Sequence, residues 1–240
     1  MAEFDPIAAI GMLCVASEGY RVVGTCTSFK RAEMALTAAH CVADIDPGDL
    51  WIAKLERGGQ MRSTVKVDTH PTADLAALHL FPDEADHVSD VPADAFWGTV
   101  GNYTLGEEFM TYGYPFEARE AMGPFKAVES ARLLRGNFQR FHQFADPGGH
   151  QFLAGEMSVP APTGMSGAPL FRPGALPMLT GLVVGSTESS VLAYKVTEVK
   201  DGVETYLERV DRVTTYGVAL MLAPFSGWLD GQLPAKSEAD

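Results

Sequence analysis

Short strand-like runs of apolar and polar positions dominate this chain, separated by turn residues. Residues 10–16 and 21–29 flank Ser17-Glu18-Gly19-Tyr20, which reads as a hairpin connection. After the basic turn Lys30-Arg31-Ala32-Glu33, residues 34–37 form another short apolar strand. Residues 50–55 alternate, with Leu50, Ile52 and Lys54 on one face and Trp51, Ala53 and Leu55 on the other. Gly58-Gly59 turns the chain into a strand at 61–67, and 75–81 is the next, ended by Pro82-Asp83. From Glu84 to Thr99 the composition shifts to Asp, Pro and Ala, which predicts a linker between two halves. The second half is predicted to carry strands at 108–112, 126–134, 138–144, 151–157, 177–185, 191–198 and 217–222. Residues 225–233 read as a short helix with Trp228 and Leu229 docking inward. Many short strands with frequent Gly and Pro turns predict an all-β fold, a sandwich or a pair of barrels.

A chain of 240 residues with 46% hydrophobic and 20% charged residues has material for a real core and gives no case for global disorder. Its net charge of −13 argues against a nucleic-acid-binding surface and against adhesion to anionic membranes. There is no apolar run of about 18 residues, the length a membrane-crossing helix needs. The start, Met1-Ala2-Glu3-Phe4-Asp5-Pro6, is acidic where a secretion signal is basic, and the apolar run at 7–15 is short and lacks a cleavage site. With an odd count of three cysteines, Cys14, Cys26 and Cys41, this predicts a cytoplasmic protein with reduced thiols.

Chemistry enters at Ala161-Pro162-Thr163-Gly164-Met165-Ser166-Gly167-Ala168-Pro169-Leu170-Phe171. Glycines reach backbone angles that other residues avoid, so N–H groups around such a turn can converge on an anion. A nucleophilic serine needs that arrangement, because negative charge develops on the carbonyl oxygen it attacks. It also needs a base, usually a histidine oriented by a carboxylate. His40 follows an apolar strand and the small residues Ala38 and Ala39, which put its ring at a strand end. For the acid, Asp74 stands immediately before a Leu/Ala-rich strand, where a buried carboxylate requires a hydrogen-bond partner. Asp68, in the polar turn Val67-Asp68-Thr69-His70, is the rival.

The order His40, Asp74, Ser166 resembles that of the chymotrypsin-like (trypsin-like) serine peptidases, bacterial members included. Thr37-Ala38-Ala39-His40-Cys41 is similar to that family's histidine box, Asp74-Leu75-Ala76 to its aspartate segment, and Gly164-Met165-Ser166-Gly167-Ala168-Pro169 to its serine box. Gly24-Thr25-Cys26-Thr27-Ser28-Phe29, Gly113-Tyr114-Pro115 and Gly217-Val218-Ala219 also resemble family segments, so the likeness runs from about Ile7 to Leu229. It implies two six-stranded antiparallel β-barrels with a short C-terminal helix, in a single peptidase domain over 1–240. The N-terminal barrel is expected at about 7–90, the C-terminal barrel at about 100–225, and a catalytic cleft between them.

The resemblance further implies a serine endopeptidase acting on protein or peptide substrates without a cofactor. His40 is its base, Asp74 orients His40, Ser166 is the nucleophile, and the N–H groups of Gly164 and Ser166 form the oxyanion hole. By the same likeness Pro160, Val184, Gly185, Ser186 and Gly217 shape the substrate pocket, which fits a small or apolar side chain unless Glu188 reaches a basic one. Met165 stands where the animal enzymes carry an aspartate that pairs with a new N-terminus, and no Ile-Val-Gly-Gly start exists. Activation by N-terminal cleavage is therefore not expected, and other packing or a protein partner must hold the oxyanion site. Ala168 replaces the family's second glycine. Cys26 and Cys41 stand about where many relatives place a disulfide, with two reduced thiols preferred here. A catalytically idle fold serving as a protein-binding module is the alternative. An esterase of another fold is rejected because its histidine comes last. No metal is expected: His142 and His150 lie in a Gly/Pro-rich stretch without a ligand box nearby and read as exposed loop residues, and His70, His79 and His87 form no usable arrangement.

Overall fold

The computed structural model describes residues 6–16, 21–54, 60–80, 97–116, 131–174, 178–200 and 203–232. Within them the chain is almost entirely β-structure, with one short helix, α1 (Ser226–Gly231), near the end. The first six strands are β1 (Ile10–Val15), β2 (Arg21–Phe29), β3 (Arg31–Thr37), β4 (Leu50–Lys54), β5 (Gln60–Thr69) and β6 (Ala76–Leu80). They form a closed barrel in the order β1-β2-β3-β6-β5-β4, all pairs antiparallel. The other six are β7 (Glu108–Gly113), β8 (Arg132–Ala145), β9 (Gln151–Met157), β10 (Pro169–Arg172), β11 (Met178–Lys200) and β12 (Val203–Met221). These run β10-β11-β12-β9-β8-β7, and Leu170 and Phe171 of β10 pair back onto Thr111 and Met110 of β7.

Three layers of side chains explain why many strands read as continuous apolar runs. Strands buried on both faces lose the inside–outside alternation. In β1, Leu13 and Val15 point into the first barrel with Ile52, Leu78 and Leu80, while Ile10, Met12 and Cys14 turn outward against Tyr114. The second group of strands packs Phe109, Phe138, Met157, Leu170, Val183 and Met221 in its interior. Between the two groups lies a further cluster, in which Met34, Leu36, Leu75 and Ala77 meet Phe152, Phe171, Leu182 and Leu220. Leu229 of α1 is buried in this layer and Trp228 packs against it, as the sequence predicts.

Three expectations change. The strand predicted at 138–144 is part of β8, a single 14-residue strand that begins at Arg132 and runs through Gly136-Asn137. Residues 126–130 of the other predicted strand lie outside the described residues, as do His87 and most of the predicted linker. The strands at 177–185 and 191–198 are likewise one strand, β11, of 23 residues. Its partner β12 starts at Val203, not Gly217, and the two pair from Gly181/Met221 out to Lys200/Val203. Beyond the core this is a two-stranded ribbon with Val191, Leu192, Tyr194 and Val213 exposed. A strand wet on both faces has no burial pattern to betray it.

Candidate active site

Strand β3 ends at Thr37 and passes into a short 3-10 turn, Ala39–Cys41. Ala38, Ala39, Cys41 and Val42 all face the first barrel's interior, leaving His40 as the residue turned outward. Asp74 closes the turn before β6 and is only 2% exposed. Its carboxylate accepts two hydrogen bonds from His40: the backbone N–H at 2.9 Å on Oδ1, and ring Nδ1 at 2.7 Å on Oδ2. The rival Asp68 is engaged elsewhere, with His79 at 2.9 Å and Lys66 at 2.7 Å. Burial opposes a charge on the His40 ring, but the hydrogen bond to Asp74, with Cys41 beside it, outweighs this. Together they push the imidazole up from 6.5 to about 10.

The serine turn is fixed by its two glycines. Gly164 and Gly167 have φ of +94° and +84°, in the left-handed region that favours glycine. A Cβ on Gly167 would stand 2.0 Å from the Thr25 carbonyl oxygen, and one on Gly164 would stand 2.7 Å from backbone atoms of Tyr114 and Phe116. The N–H of Met165 donates to Pro162, that of Gly167 to Val183 and that of Ala168 to Met165. Among the described residues the N–H groups of Gly164 and Ser166, on either side of Met165, have no such partner. Met165 is fully buried among Phe109, Phe138 and Leu170, and the Ala168 methyl is accommodated in the same cluster.

Thr25 was not singled out in the sequence, yet it ties the serine turn to the first barrel. Its N–H donates to the Ser166 carbonyl at 2.8 Å, its hydroxyl donates to the Gly164 carbonyl at 3.1 Å, and the same hydroxyl accepts the Tyr114 N–H at 3.0 Å. Phe116 N–H holds the Thr163 carbonyl at 2.8 Å. Cys41, next to His40, brings its sulfur to 3.8 Å from the Ser166 carbonyl. The histidine and serine segments are therefore neighbours, although among the described residues the Ser166 hydroxyl and the His40 ring form no hydrogen bond. None of the three cysteines is in a disulfide among the described residues. Cys26 points its thiol to the Gly11 carbonyl at 3.5 Å, and the residue facing the Cys41 sulfur is Gly24.

Beside His40 and Asp74 opens a cavity of about 340 Å³, lined also by Val184, Gly185, Ser186, Val218, Phe144, Phe152, Asp146 and His150. Val184, Gly185 and Ser186, expected to form a pocket wall, line this cavity. Ser186 also exchanges two hydrogen bonds with the backbone of Ala161, at 3.0 and 2.9 Å. Pro160 is exposed and Gly217 pairs with Met157, its N–H bonded to the Val159 carbonyl, and neither lines this cavity. Glu188 is exposed on β11, opposite Thr215.

The histidines of the β8–β9 region depart from expectation. His142 is half-buried within β8, not in a loop. His150 is also half-buried: its N–H donates to Asp146 Oδ1 and its ring Nδ1 meets Asp146 Oδ2, both at 2.8 Å. Burial works against the Asp146 charge, but these bonds from His150 hold the carboxyl below its usual range. Asp74, Asp146 and His150 each offer a ligand atom within 4.8 Å of the others, so acidic groups do stand near His150. His40 and His150 already engage both carboxylates.

Comparison with known proteins bears on the family and the fold. The family profile described as a trypsin-like peptidase domain matches residues 24–175, more than half of the chain. No curated protein matches the sequence. Among solved structures, the protease domain of MamO from Magnetospirillum magneticum, in its apo form, superposes with a TM-score of 0.62 at 14% identity, covering 97% of this chain and 98% of that one. An inactive form of Rv3671c from M. tuberculosis H37Rv gives 0.59 at 12% identity, with 96% and 90% covered. The HtrA-type protease AlgW with a tripeptide gives 0.58 at 15%, covering 94% of this chain and 60% of its own. At these identities the likeness to solved structures is one of fold. The family profile goes further: this chain belongs to the trypsin-like peptidase domain family, the chymotrypsin-like serine-protease group of hydrolases.

Proposed function

We propose that the protein is a serine endopeptidase acting on protein or peptide substrates, with His40, Asp74 and Ser166 as its triad. The observation that carries this reading is the doubly bonded His40–Asp74 pair beside a serine turn with two N–H donors unclaimed among the described residues. Ser166 Oγ attacks the scissile carbonyl as His40 takes its proton, and Asp74 keeps the ring oriented and stabilises its charged form. The N–H groups of Gly164 and Ser166 bind the oxyanion. Breaking the C–N bond hands the proton from His40 to the departing amine, and water, deprotonated by the same ring, hydrolyses the acyl-enzyme. In this reading the second ring of strands is the second barrel, and the substrate lies between the halves at about 7–90 and 100–225.

Met165 supports activation without N-terminal cleavage. It fills the core with an apolar side chain where a buried carboxylate would be left without a partner. A second version is favoured by the missing hydrogen bond between Ser166 and His40: a partner or substrate closes that gap, and without it the fold only binds. A fluorophosphonate probe tests the proposal. It is expected to label Ser166 and not Ser166→Ala. Absence of label with and without candidate peptides, while a control peptidase reacts, favours the idle binding module.

A further inference from the structure

His70 stands outside the triad, yet its ring lies under the turn that carries Asp74. Nδ1 accepts the backbone N–H of Thr72 at 3.2 Å and that of Ala73 at 3.1 Å. The His70 N–H donates to the Leu75 carbonyl at 2.8 Å, so the residue clasps the turn from both ends. Two N–H groups converging on one ring nitrogen require that nitrogen to carry a lone pair, which makes the ring neutral with its proton on Nε2. On its outer faces the ring meets Phe225 at 4.8 Å and Trp228 at 5.3 Å, both edge-on. From the first residue of β9, Gln151 N–H holds the Thr72 carbonyl at 2.8 Å.

We propose that His70 is a positioning residue for the His40–Asp74 pair, fixing the turn that presents the Asp74 carboxylate through its neutral Nδ1. This rests on the reading of that pair as base and orienting acid. Asp74 must offer two oxygens to two donors of one residue at once, so a small shift of its turn breaks the match. A protonated His70 has no acceptor to give Thr72 and Ala73, and it would release the turn. Its surroundings oppose that proton: desolvation first, then the charge of His150, keep the ring below the usual histidine range. The other partners that face it, Phe225 and Trp228, carry no charge, and the nearest acid in its own turn, Asp74, is committed to His40.

Two substitutions separate positioning from mere packing. In His70→Asn the amide oxygen lies as many bonds from Cα as Nδ1 and keeps the acceptor; in His70→Gln the amide lies one bond further out. His70→Gln is expected to lower the Ser166 labelling rate and kcat about 10- to 100-fold with KM little changed. His70→Asn should return within about threefold of wild type. The pH profile adds a readout that packing alone would not move. In wild type the rate should fall with two protons below the His70 pKa, one for His40 and one for His70, and in His70→Asn with one. A Ser166→Ala background gives a test that needs no activity. Proton NMR of the His40 Nδ1–H, in its 2.7 Å bond to Asp74, should show a signal that persists in His70→Asn and broadens or vanishes in His70→Gln. If His70→Gln keeps that signal and the wild-type rate, the proposal is overturned. It is equally overturned if His70→Asn, folded by its thermal midpoint, loses the signal or retains the two-proton slope. Should wild type resist labelling while the NMR signal follows this pattern, the positioning stands and the peptidase reading fails.

Discussion

Two histidine–aspartate pairs face the same cavity and are bonded alike. In each, a backbone N–H reaches one carboxylate oxygen and the ring Nδ1 reaches the other, His40 with Asp74 and His150 with Asp146. Their origins differ. His150 and Asp146 are four residues apart in one loop, whereas His40 and Asp74 are joined across 34 residues by two strand ends. The Asp74 side chain is 2% exposed against 13% for Asp146, while the His40 side chain is the more open of the two, 45% against 28%. The contrast teaches that a bonded pair is not a site by itself. What distinguishes His40 is a buried carboxylate partner, an outward ring and, one segment away, a serine turn whose Gly164 and Ser166 N–H groups have no partner among the described residues.

Replacing each acid in turn puts the contrast to its hardest test. Asp74→Asn leaves a partner of the same shape but the wrong charge, and kcat is expected to fall on the order of 10⁴-fold. Asp146→Asn should cost no more than about tenfold in the same peptide-hydrolysis assay. Equal losses would mean that the two pairs act as one unit. The serine turn comes next. Gly167→Ala forces a methyl group onto the Thr25 carbonyl at a left-handed backbone position, and about 3 kcal/mol or more of stability should be lost in urea unfolding. A smaller loss is expected from Thr25→Val, which removes the hydroxyl's bonds to the Tyr114 N–H and the Gly164 carbonyl. About 2 kcal/mol should go, with labelling of Ser166 slowed more than unfolding explains. A change of pH tests the same pair without any substitution. Because the His40 pKa is raised from 6.5 to about 10, its contribution to stability is complete below pH 6.5 and is lost as pH rises through 10. Labelling should move the opposite way, rising over that window as the ring becomes a free base. A labelling rate flat between pH 7 and 10 would contradict the raised pKa.

Those parts of the site written as compact runs were legible from the sequence. Thr37-Ala38-Ala39-His40-Cys41 and Gly164-Met165-Ser166-Gly167 each encode a local backbone shape, and a shape forced by small residues and glycines shows in their spacing. Thr25, His70 and Asp146 were not legible, because each acts through contacts that only the tertiary fold creates. Nothing around Thr25 announces that its hydroxyl bridges Gly164 and Tyr114, 139 and 89 residues away. The outer part of β12 was missed for a different reason. With solvent on both sides, residues 210–216 carry no one-faced apolar pattern, and Asp201-Gly202 between the paired Lys200 and Val203 was the sole turn signal.

The clasp on the Asp74 turn also has a consequence for the order of events during synthesis. His40 and Asp74 are translated early, but the aromatic pair that closes over His70 comes from Phe225 and Trp228, more than 150 residues later. Contacts of such long sequence separation form late, since the intervening chain must be ordered first. A nascent chain bearing the whole serine turn therefore still lacks the last wall of its acid-bearing turn. The wall over the turn that presents Asp74 to His40 is complete only once residues 225–228 have emerged.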